Sequence, residues 1–362
     1  MGGFPSRTAA EGIVDSNPLG QPVQVIAFPS SEKYRVANFF VNRSDFPELS
    51  AKFPPGGRFS VSTQTLPAHR LWRAGAFGNG VYVVLAANTN KGAYSYDGLV
   101  WTEMTLSASG FWYCCGFGGG TFVTLSGGSN VGSVSGDGVN WTAMTISATA
   151  DWFRVCYGGG RFVACTSNAT TTAVSTNGTS WSAGGALPSA GVWTLAYGNG
   201  KFVAVRFEGG AATSTDGAAW VSRTLASPPA GTWNQVAFGN GVFVTVANNG
   251  SKAAVSADGI TWNTYDLPST ASWQLSGFEN GVFLAVADSS TKAATSPDGV
   301  TWTARVLPNL PSHNRWSAAI GYGAFAVTPY DGTGLFFVIA DDPSSKGLRL
   351  SGPTNSFVRV RP

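Results

Sequence analysis

Tryptophan recurs in this chain at two fixed positions of a repeat of about 40 residues. The first series is spaced by 40, 40, 41, 40, 40 and 43 residues and consists of Trp72, Trp112, Trp152, Trp193, Trp233, Trp273 and Trp316. The second series consists of Trp101, Trp141, Trp181, Trp220, Trp262 and Trp302. Together they account for all 13 tryptophans of the 362 residues. A period of this length indicates a repeat architecture, and the fold must accommodate it.

Each repeat contains the signals of four short strands. A first-series tryptophan begins an apolar segment that ends in a glycine turn and continues as a second apolar segment, as in FGNGVYVV from Phe77 and YGNGKFVA from Tyr197. Asn-Gly and Gly-Gly between such segments predict a tight hairpin. A variable polar loop, a third strand and an Asp-Gly or Asn-Gly turn follow, and the second tryptophan begins strand four. Four antiparallel strands per repeat form the blade of a β-propeller.

Seven first-series tryptophans predict an all-β, seven-bladed β-propeller with an N-terminal arm. The composition agrees, since 47 glycines and 19 prolines keep helices short and exclude a helical bundle. With 43% hydrophobic and only 11% charged residues, the chain is not disordered. The net charge of +3 comes without a run of Lys or Arg, so we expect no nucleic-acid partner. The chain has no apolar stretch of about 18 residues, so we expect no insertion into a membrane.

The two ends of the chain differ from the repeat. After Trp316 the glycine turn is weak and the aspartate turn is absent. Two segments could supply the missing fourth strand, RFSVSTQTLP from Arg58 or FVRVRP at the C-terminus, and we favour the first. We therefore predict an arm for attachment or oligomerisation at residues 1–58 and the propeller at residues 59–362. The alternative for the arm is a strand pair packed on the propeller rim.

The turn before each second-series tryptophan has the pattern S-x-D-G-x-x-W. An aspartate here accepts N–H bonds of its own turn while glycine takes positive φ, so we assign these residues a structural role. They are Asp97, Asp137, Asp216, Asp258 and Asp298. The turn resembles the Asp-box of sialidase-type propellers, but the arginine cluster, tyrosine nucleophile and acid of those enzymes have no counterparts here.

The residues offer little for catalysis or for metal binding. His69 and His313 each stand three residues before a first-series tryptophan, with Arg70 and Arg315 beside them. We favour loop histidines with local hydrogen bonds over an interface or metal pair. The four cysteines, which fit no zinc pattern, lie in apolar strands, and we favour buried thiols over a disulfide between neighbouring strands. We expect no catalytic residue, no metal site and no cofactor, and hence no enzyme.

The repeat, written W-x4-[FY]-G-N-G-x-[FY]-V-x-V followed by S-x-D-G-x-x-W-T, resembles the propeller repeats of bacteriophage virion proteins of the tail-fibre and tail-tip type. SDFPELSAKFPPGGRF from Ser44 also resembles a short segment of phage tail-collar fibre proteins. The resemblance implies a structural protein of the virion tail, assembled in the host cytoplasm. It implies contact with other virion tail proteins and homo-oligomerisation, with a trimer favoured. It further implies binding to the host surface.

The variable loops between strands two and three lie, in an up-and-down blade, on the face opposite the tight turns. Their short polar side chains suit sugar hydroxyls, and surface loops on a rigid scaffold commonly carry recognition. The candidate binding residues are Asn88, Thr89, Asn90, Ser129, Asn130, Asn168, Thr170, Asn248, Asn249, Ser289 and Ser290. The partner is either a host surface glycan or a neighbouring virion protein. The alternatives to a phage tail protein are a free lectin-like propeller and, less favoured, a glycan hydrolase.

Overall fold

The computed structural model describes the backbone of residues 25–27, 33–36, 39–42, 59–226, 228, 231–279, 281–307, 316–321, 324–329, 335–341, 349–351 and 356–358. Side chains are described for residues 61, 64–226, 228, 231–279, 281–307, 319–321 and 325–328. All regular structure in these ranges is β-strand, and the chain divides into two compact units. The smaller comprises residues 1–62, 322–324 and 339–362, and the larger comprises residues 63–321 and 325–338.

The strands follow one another in the order that the repeat predicts. The N-terminal strands are β1 (Val25–Ala27), β2 (Lys33–Val36), β3 (Phe39–Asn42) and β4 (Phe59–Thr65). The first two repeats contain β5 (Trp72–Gly78), β6 (Val81–Ala86), β7 (Thr89–Ser95), β8 (Thr102–Gly118), β9 (Thr121–Gly127), β10 (Ser129–Ser135) and β11 (Thr142–Ala150). The next two contain β12 (Trp152–Gly158), β13 (Arg161–Thr166), β14 (Thr172–Ser175), β15 (Ser182–Ala183), β16 (Trp193–Gly198), β17 (Lys201–Arg206), β18 (Ala211–Ser214) and β19 (Val221–Arg223).

The remaining strands complete the series. They are β20 (Thr232–Gly239), β21 (Val242–Asn248), β22 (Gly250–Ser256), β23 (Asn263–Ala271), β24 (Trp273–Glu279), β25 (Val282–Ala287), β26 (Lys292–Ser296), β27 (Thr303–Val306), β28 (Trp316–Gly321), β29 (Ala324–Pro329), β30 (Leu335–Asp341), β31 (Arg349–Ser351) and β32 (Ser356–Val358). In the smaller unit, β1, β2 and β3 form an antiparallel sheet and β31 pairs with β32.

The repeats fold into four-stranded antiparallel sheets with strands in sequence order. Four such sheets run from β12 to β27. The first two repeats form one seven-stranded sheet, because β8 runs uninterrupted from the last strand of one repeat into the first strand of the next. The sheet of the last repeat has the order β28-β29-β30-β4. The N-terminal segment thus supplies its fourth strand, as favoured from the sequence, while β32 pairs with β31.

The first strands of the repeats contact one another in a closed cycle. Each of these strands contacts the next in the order β5, β8, β12, β16, β20, β24 and β28. The cycle closes because β28 also contacts β5. Each repeat also packs on its neighbour, since one core cluster joins Val83 and Leu85 of the first repeat to Trp112 and Phe122 of the second. The larger unit is therefore a β-propeller, in which sheets bury their faces against each other.

The first-series tryptophans form the apolar interior between sheets. Those at 72, 112, 152, 193, 233 and 273 are at most 1% exposed. The indole N–H of each of these six tryptophans donates to a backbone carbonyl, as Trp112 does to Thr89 O at 2.8 Å and Trp273 to Ser269 O at 2.8 Å. Burial of a large ring with its polar atom satisfied is strongly stabilising. These rings are therefore closed to any ligand.

Candidate functional site

The two faces of the propeller are defined by hydrogen bonds between connections. Asn79, in the turn between the first and second strands of its repeat, donates to Gly120 O at 3.2 Å and to Gly136 O at 2.7 Å in the two turns of the next repeat. We call this side, with the Asp-Gly turns, the turn face. On the other side Ala87 N donates to Leu71 O and Ser167 N to Asp151 O. These bonds tie the variable loops to the connections between repeats, and we call that side the loop face.

The Asp-Gly turns of the turn face share one hydrogen-bond pattern. The Asp97 carboxylate accepts the N–H groups of Leu99 at 2.8 Å and Val100 at 2.9 Å, and Ser95 Oγ accepts Gly98 N–H at 2.8 Å. The same bonds recur at Asp137, Asp216, Asp258 and Asp298, and at Asn177 in the third repeat. With their acceptor oxygens bonded within the turn, these side chains serve local structure.

The loop face carries the candidate binding residues, but its hairpins are tighter than the sequence suggests. Thr89 and Asn90 already belong to β7, and Ser129 and Asn130 to β10. The chain reverses at Asn88, which has φ 60°, and at Gly128, which has φ 69°. Asparagine and glycine tolerate this left-handed conformation, so one or two residues suffice for the reversal.

The predicted residues of the later repeats are spread around the loop face. Asn168, Asn249 and Ser289 are exposed and have φ between 51° and 61°, so each occupies the left-handed position of its turn. Thr170, Asn248 and Ser290 are half-buried. Ser290 Oγ accepts the Lys292 N–H at 3.1 Å, and Asn249 accepts a hydrogen bond from Ser272. None of these six residues lines the cavity that Asn88 and Ser129 line.

A cavity of about 540 Å³ opens on the loop face where the first three repeats meet. It contains two of the predicted residues, Asn88 and Ser129. The full lining is Asn88, Ser109, Gly110, Phe111, Tyr113, Ser126, Gly127, Gly128, Ser129, Val131 and Asp151. The cavity thus combines aromatic rings, hydroxyls, an amide and a carboxylate. Small-molecule sites have this makeup, with apolar walls and a few placed polar groups.

Aromatic side chains form one wall of this cavity. Phe111 is 49% exposed, which is unusual for a phenylalanine, and its ring lies 6.3 Å from that of Tyr113. Tyr113 lies 6.3 Å from Phe153 on its other side, and the Arg73 guanidinium carbon sits 4.6 Å from the Tyr113 ring centre. These contacts hold Tyr113 in place and leave Phe111 as the outward-facing ring.

Glycines shape the floor. A Cβ on Gly127 would lie 2.5 Å from the Tyr113 ring and 3.2 Å from Asp151 Oδ1. A Cβ on Gly110 would lie 2.9 Å from Ser126 Oγ, which itself accepts the Phe111 N–H at 3.0 Å. Only glycine admits such close approach, so the Tyr113 ring and the Asp151 carboxylate both rest directly on the backbone.

Sequence reasoning missed Phe111, Tyr113 and Asp151, although a signal was present. They flank first-series tryptophans, where the repeat pattern is variable. The residue after the tryptophan is Arg73, Tyr113, Phe153, Thr194, Asn234 or Gln274 in successive repeats. Thr194 and Asn234 are buried and internally hydrogen-bonded, whereas Tyr113 reaches the cavity. Departure from the repeat, rather than loop polarity, locates the site.

His69, Arg70 and the four cysteines do not line this cavity. His69 is exposed and Arg70 pairs with Glu103 at 2.7 Å, while His313 and Arg315 lie outside the described residues. Cys114, Cys115, Cys156 and Cys165 are free thiols. Among the residues whose positions are described, His, Cys, Asp and Glu form no group of three that could hold a metal ion. The same part of the chain contains no helix of a length and apolarity that would cross a bilayer.

The comparisons with known proteins concern the fold. A family described as the DUF6242 beta propeller domain matches residues 192–321. No curated protein sequence matches the chain. Among solved structures, virginiamycin B lyase from Staphylococcus aureus aligns with 78% of this chain and 99% of its own, at 10% identity and a TM-score of 0.67. YCF48 bound to D1 peptide aligns over 78% and 95%, at 15% identity and 0.61. The WD40 propeller domain of Doa1 aligns over 80% and 99%, at 12% identity and 0.60. At these identities the chain is similar to all three in its β-propeller fold alone.

Proposed function

We propose that the protein is a non-enzymatic component of a bacteriophage tail or tail fibre, whose propeller uses its loop face to bind the host surface or a neighbouring tail protein. The observation that carries this proposal is the cavity between the first three repeats. There the loop face departs from the repeat and presents Phe111, at 49% exposed, beside Asp151 and Asn88. An exposed aromatic ring among polar groups is typical of recognition sites.

The propeller in this proposal has seven blades. What supports the count is the closed cycle of first strands from β5 through β28 back to β5, together with the strand order β28-β29-β30-β4 of the last sheet. An N-terminal strand that completes the last sheet joins the two ends of the repeat array. Terminal repeats of such arrays are atypical for this reason.

In this proposal the arm at residues 1–58 attaches the protein to the virion. The resemblance of the S-x-D-G-x-x-W repeat to those of phage tail proteins supports a location of the protein on the virion. Tail fibres are multimeric, so the protein acts as a homo-oligomer, with a trimer favoured. A free lectin-like propeller is the second candidate, and the same cavity favours it. YCF48, a propeller solved with a bound peptide, illustrates that such a fold serves recognition.

Electron microscopy of virions labelled with antibodies to the full chain tests the proposal. We expect label at the tail, and we expect purified full-length protein to reduce virion adsorption to host cells. Unlabelled virions together with free protein in the lysate would favour the lectin. A measured turnover of host surface polysaccharide by the purified protein would contradict a non-enzymatic role.

A further inference from the structure

The cavity of the loop face shows an asymmetry of charge that points to its ligand. Among its lining residues, all of which the structure describes, Asp151 is the one whose side chain belongs to a type that is charged at neutral pH. Tyr113 aside, the other polar groups are hydroxyls and an amide from Ser109, Ser126, Ser129 and Asn88. The nearby Arg73 does not line the cavity, since its guanidinium packs on the Tyr113 ring at 4.6 Å. A ligand in the cavity therefore meets a negative charge and neutral hydrogen-bonding groups.

The aromatic wall and the carboxylate face the same space. Phe111 and Asp151 hold equivalent places in successive repeats, directly before Trp112 and Trp152. The Tyr113 ring lies 6.3 Å from the Phe111 ring. Both the Tyr113 ring and the Asp151 carboxylate lie close to the backbone of Gly127. A ligand that covers the exposed half of Phe111 thus comes within reach of a carboxylate that accepts hydrogen bonds.

Relying on the proposed function, we infer that this cavity binds a pyranose sugar without acidic substituents, with its apolar face on Phe111 and its hydroxyls donating to Asp151. A pyranose has an apolar face for an aromatic ring and several hydroxyls for a carboxylate. A carboxylate accepts strong, charge-assisted hydrogen bonds from such groups. A uronate, sialate or phosphate would instead bring a second negative charge next to Asp151 and be repelled. The Asn88 amide and the serine hydroxyls complete the set of neutral partners.

A printed array of neutral, amine-bearing and acidic oligosaccharides, probed with the full-length protein, tests this inference. We expect binding to non-acidic members and none to acidic ones. Titration calorimetry with the strongest array member then compares variants. Phe111→Ala removes the exposed ring and should weaken binding about tenfold, and Asp151→Ala should do so to a similar extent.

Val192→Ala is the matched control, because Val192 precedes Trp193 as Phe111 precedes Trp112 but does not line the cavity. We expect its affinity to equal that of the unchanged protein. Asp151→Asn keeps an acceptor oxygen and removes the charge, so it should raise binding to acidic members relative to neutral ones. This change in preference is a readout that a general loss of structure would not produce.

Absence of binding to every non-acidic member overturns the inference, as does preferential binding of acidic members by the unchanged protein. Equal affinities of Phe111→Ala, Asp151→Ala and the unchanged protein also overturn it. If virions carry the protein at the tail and the purified protein blocks adsorption while the array stays blank, only the sugar assignment fails. Array binding by a protein absent from virions would instead retain the sugar site and remove the tail assignment.

Discussion

The ring of Phe77, in β5 of the first repeat, lies directly on Gly321, at the end of β28 in the last repeat. A Cβ at Gly321 would overlap the ring, and the Tyr82 hydroxyl donates a hydrogen bond to the Gly321 carbonyl. The same arrangement joins neighbouring repeats, since Phe117 lies on Gly78, Tyr157 on Gly118 and Tyr197 on Gly158. One aromatic–glycine contact thus links repeat to repeat and also closes the ring.

This closure predicts that Gly321→Ala destabilises the protein. The added methyl group overlaps the Phe77 ring, and overpacking of this kind costs about 1–3 kcal/mol. Urea unfolding followed by tryptophan fluorescence measures the change in the free energy of unfolding. Gly136→Ala is the control, because a Cβ there has no heavy atom within 4 Å and we expect little change. Equal stabilities of the two variants would contradict the role of the contact.

The second-series tryptophans offer a comparison within one molecule. The Trp181 indole N–H donates to Gly178 O at 2.8 Å, whereas the buried Trp220 indole N–H has no partner in the described part of the chain. Trp181→Phe should therefore destabilise the protein by about 1–2 kcal/mol more than Trp220→Phe, which removes an unsatisfied donor. Chemical denaturation of both variants measures the difference. Equal losses would indicate that ring packing alone determines stability at this position.

The fold was largely predictable because a few residues per repeat dictate it. Asn79 and Gly80 have φ of 47° and 80°, as an Asn-Gly hairpin turn requires, and the tryptophan spacing placed the buried rings. What the sequence could not indicate is contact between repeats. The Asn79 amide bonds Gly136 O, 57 residues away, and the equivalent bond is impossible in the second repeat, where Gly119 replaces the asparagine.

The candidate site was less predictable than the fold for the same reason. Loop polarity identified Asn88 and Ser129 of the lining, but Tyr113 and Asp151 lie in and next to strands. Whether a residue beside a first-series tryptophan reaches a ligand depends on its neighbours. Thr194 Oγ1 accepts the Val236 N–H at 3.2 Å and is buried, whereas the Phe111 ring stays 49% exposed although repeats lie on both sides of its own. Such differences arise only once the repeats are packed.

The free cysteines predict slow thiol chemistry. Burial raises the pKa of Cys114 and Cys165, which are at most 5% exposed, to about 12, so their reactive thiolates are rare at neutral pH. We expect modification by a disulfide reagent at pH 8 to be at least about 100-fold slower in the native protein than in urea. An added cysteine at exposed Ser180 (Ser180→Cys) serves as the control and should react rapidly in both conditions. Reaction of native Cys114 or Cys165 as fast as this control would contradict their burial.

The Asp-Gly turns predict a loss of stability in acid. At Asp137, burial is the largest single influence and acts to raise the pKa. The hydrogen bonds from Asn140, Val139 and Ser135 together outweigh it and lower the pKa from 3.8 to about 2. The folded state therefore favours the ionised carboxylate. Its contribution to stability is complete above about pH 4 and is lost as the pH falls towards 2.

Asn177 supplies the design for testing this dependence. Its side-chain oxygen accepts the N–H groups of Thr179 at 3.0 Å and Ser180 at 2.9 Å, so an amide keeps the turn without a titrating group. Asp137→Asn should make the free energy of unfolding less dependent on pH between 5 and 2, whereas Asp137→Ala should lower it at pH 6 as well, since the two N–H groups lose their acceptor. Unfolding in urea at several pH values measures both effects. If Asp137→Asn left the acid dependence unchanged, the turn carboxylate would not be the group whose protonation weakens the fold.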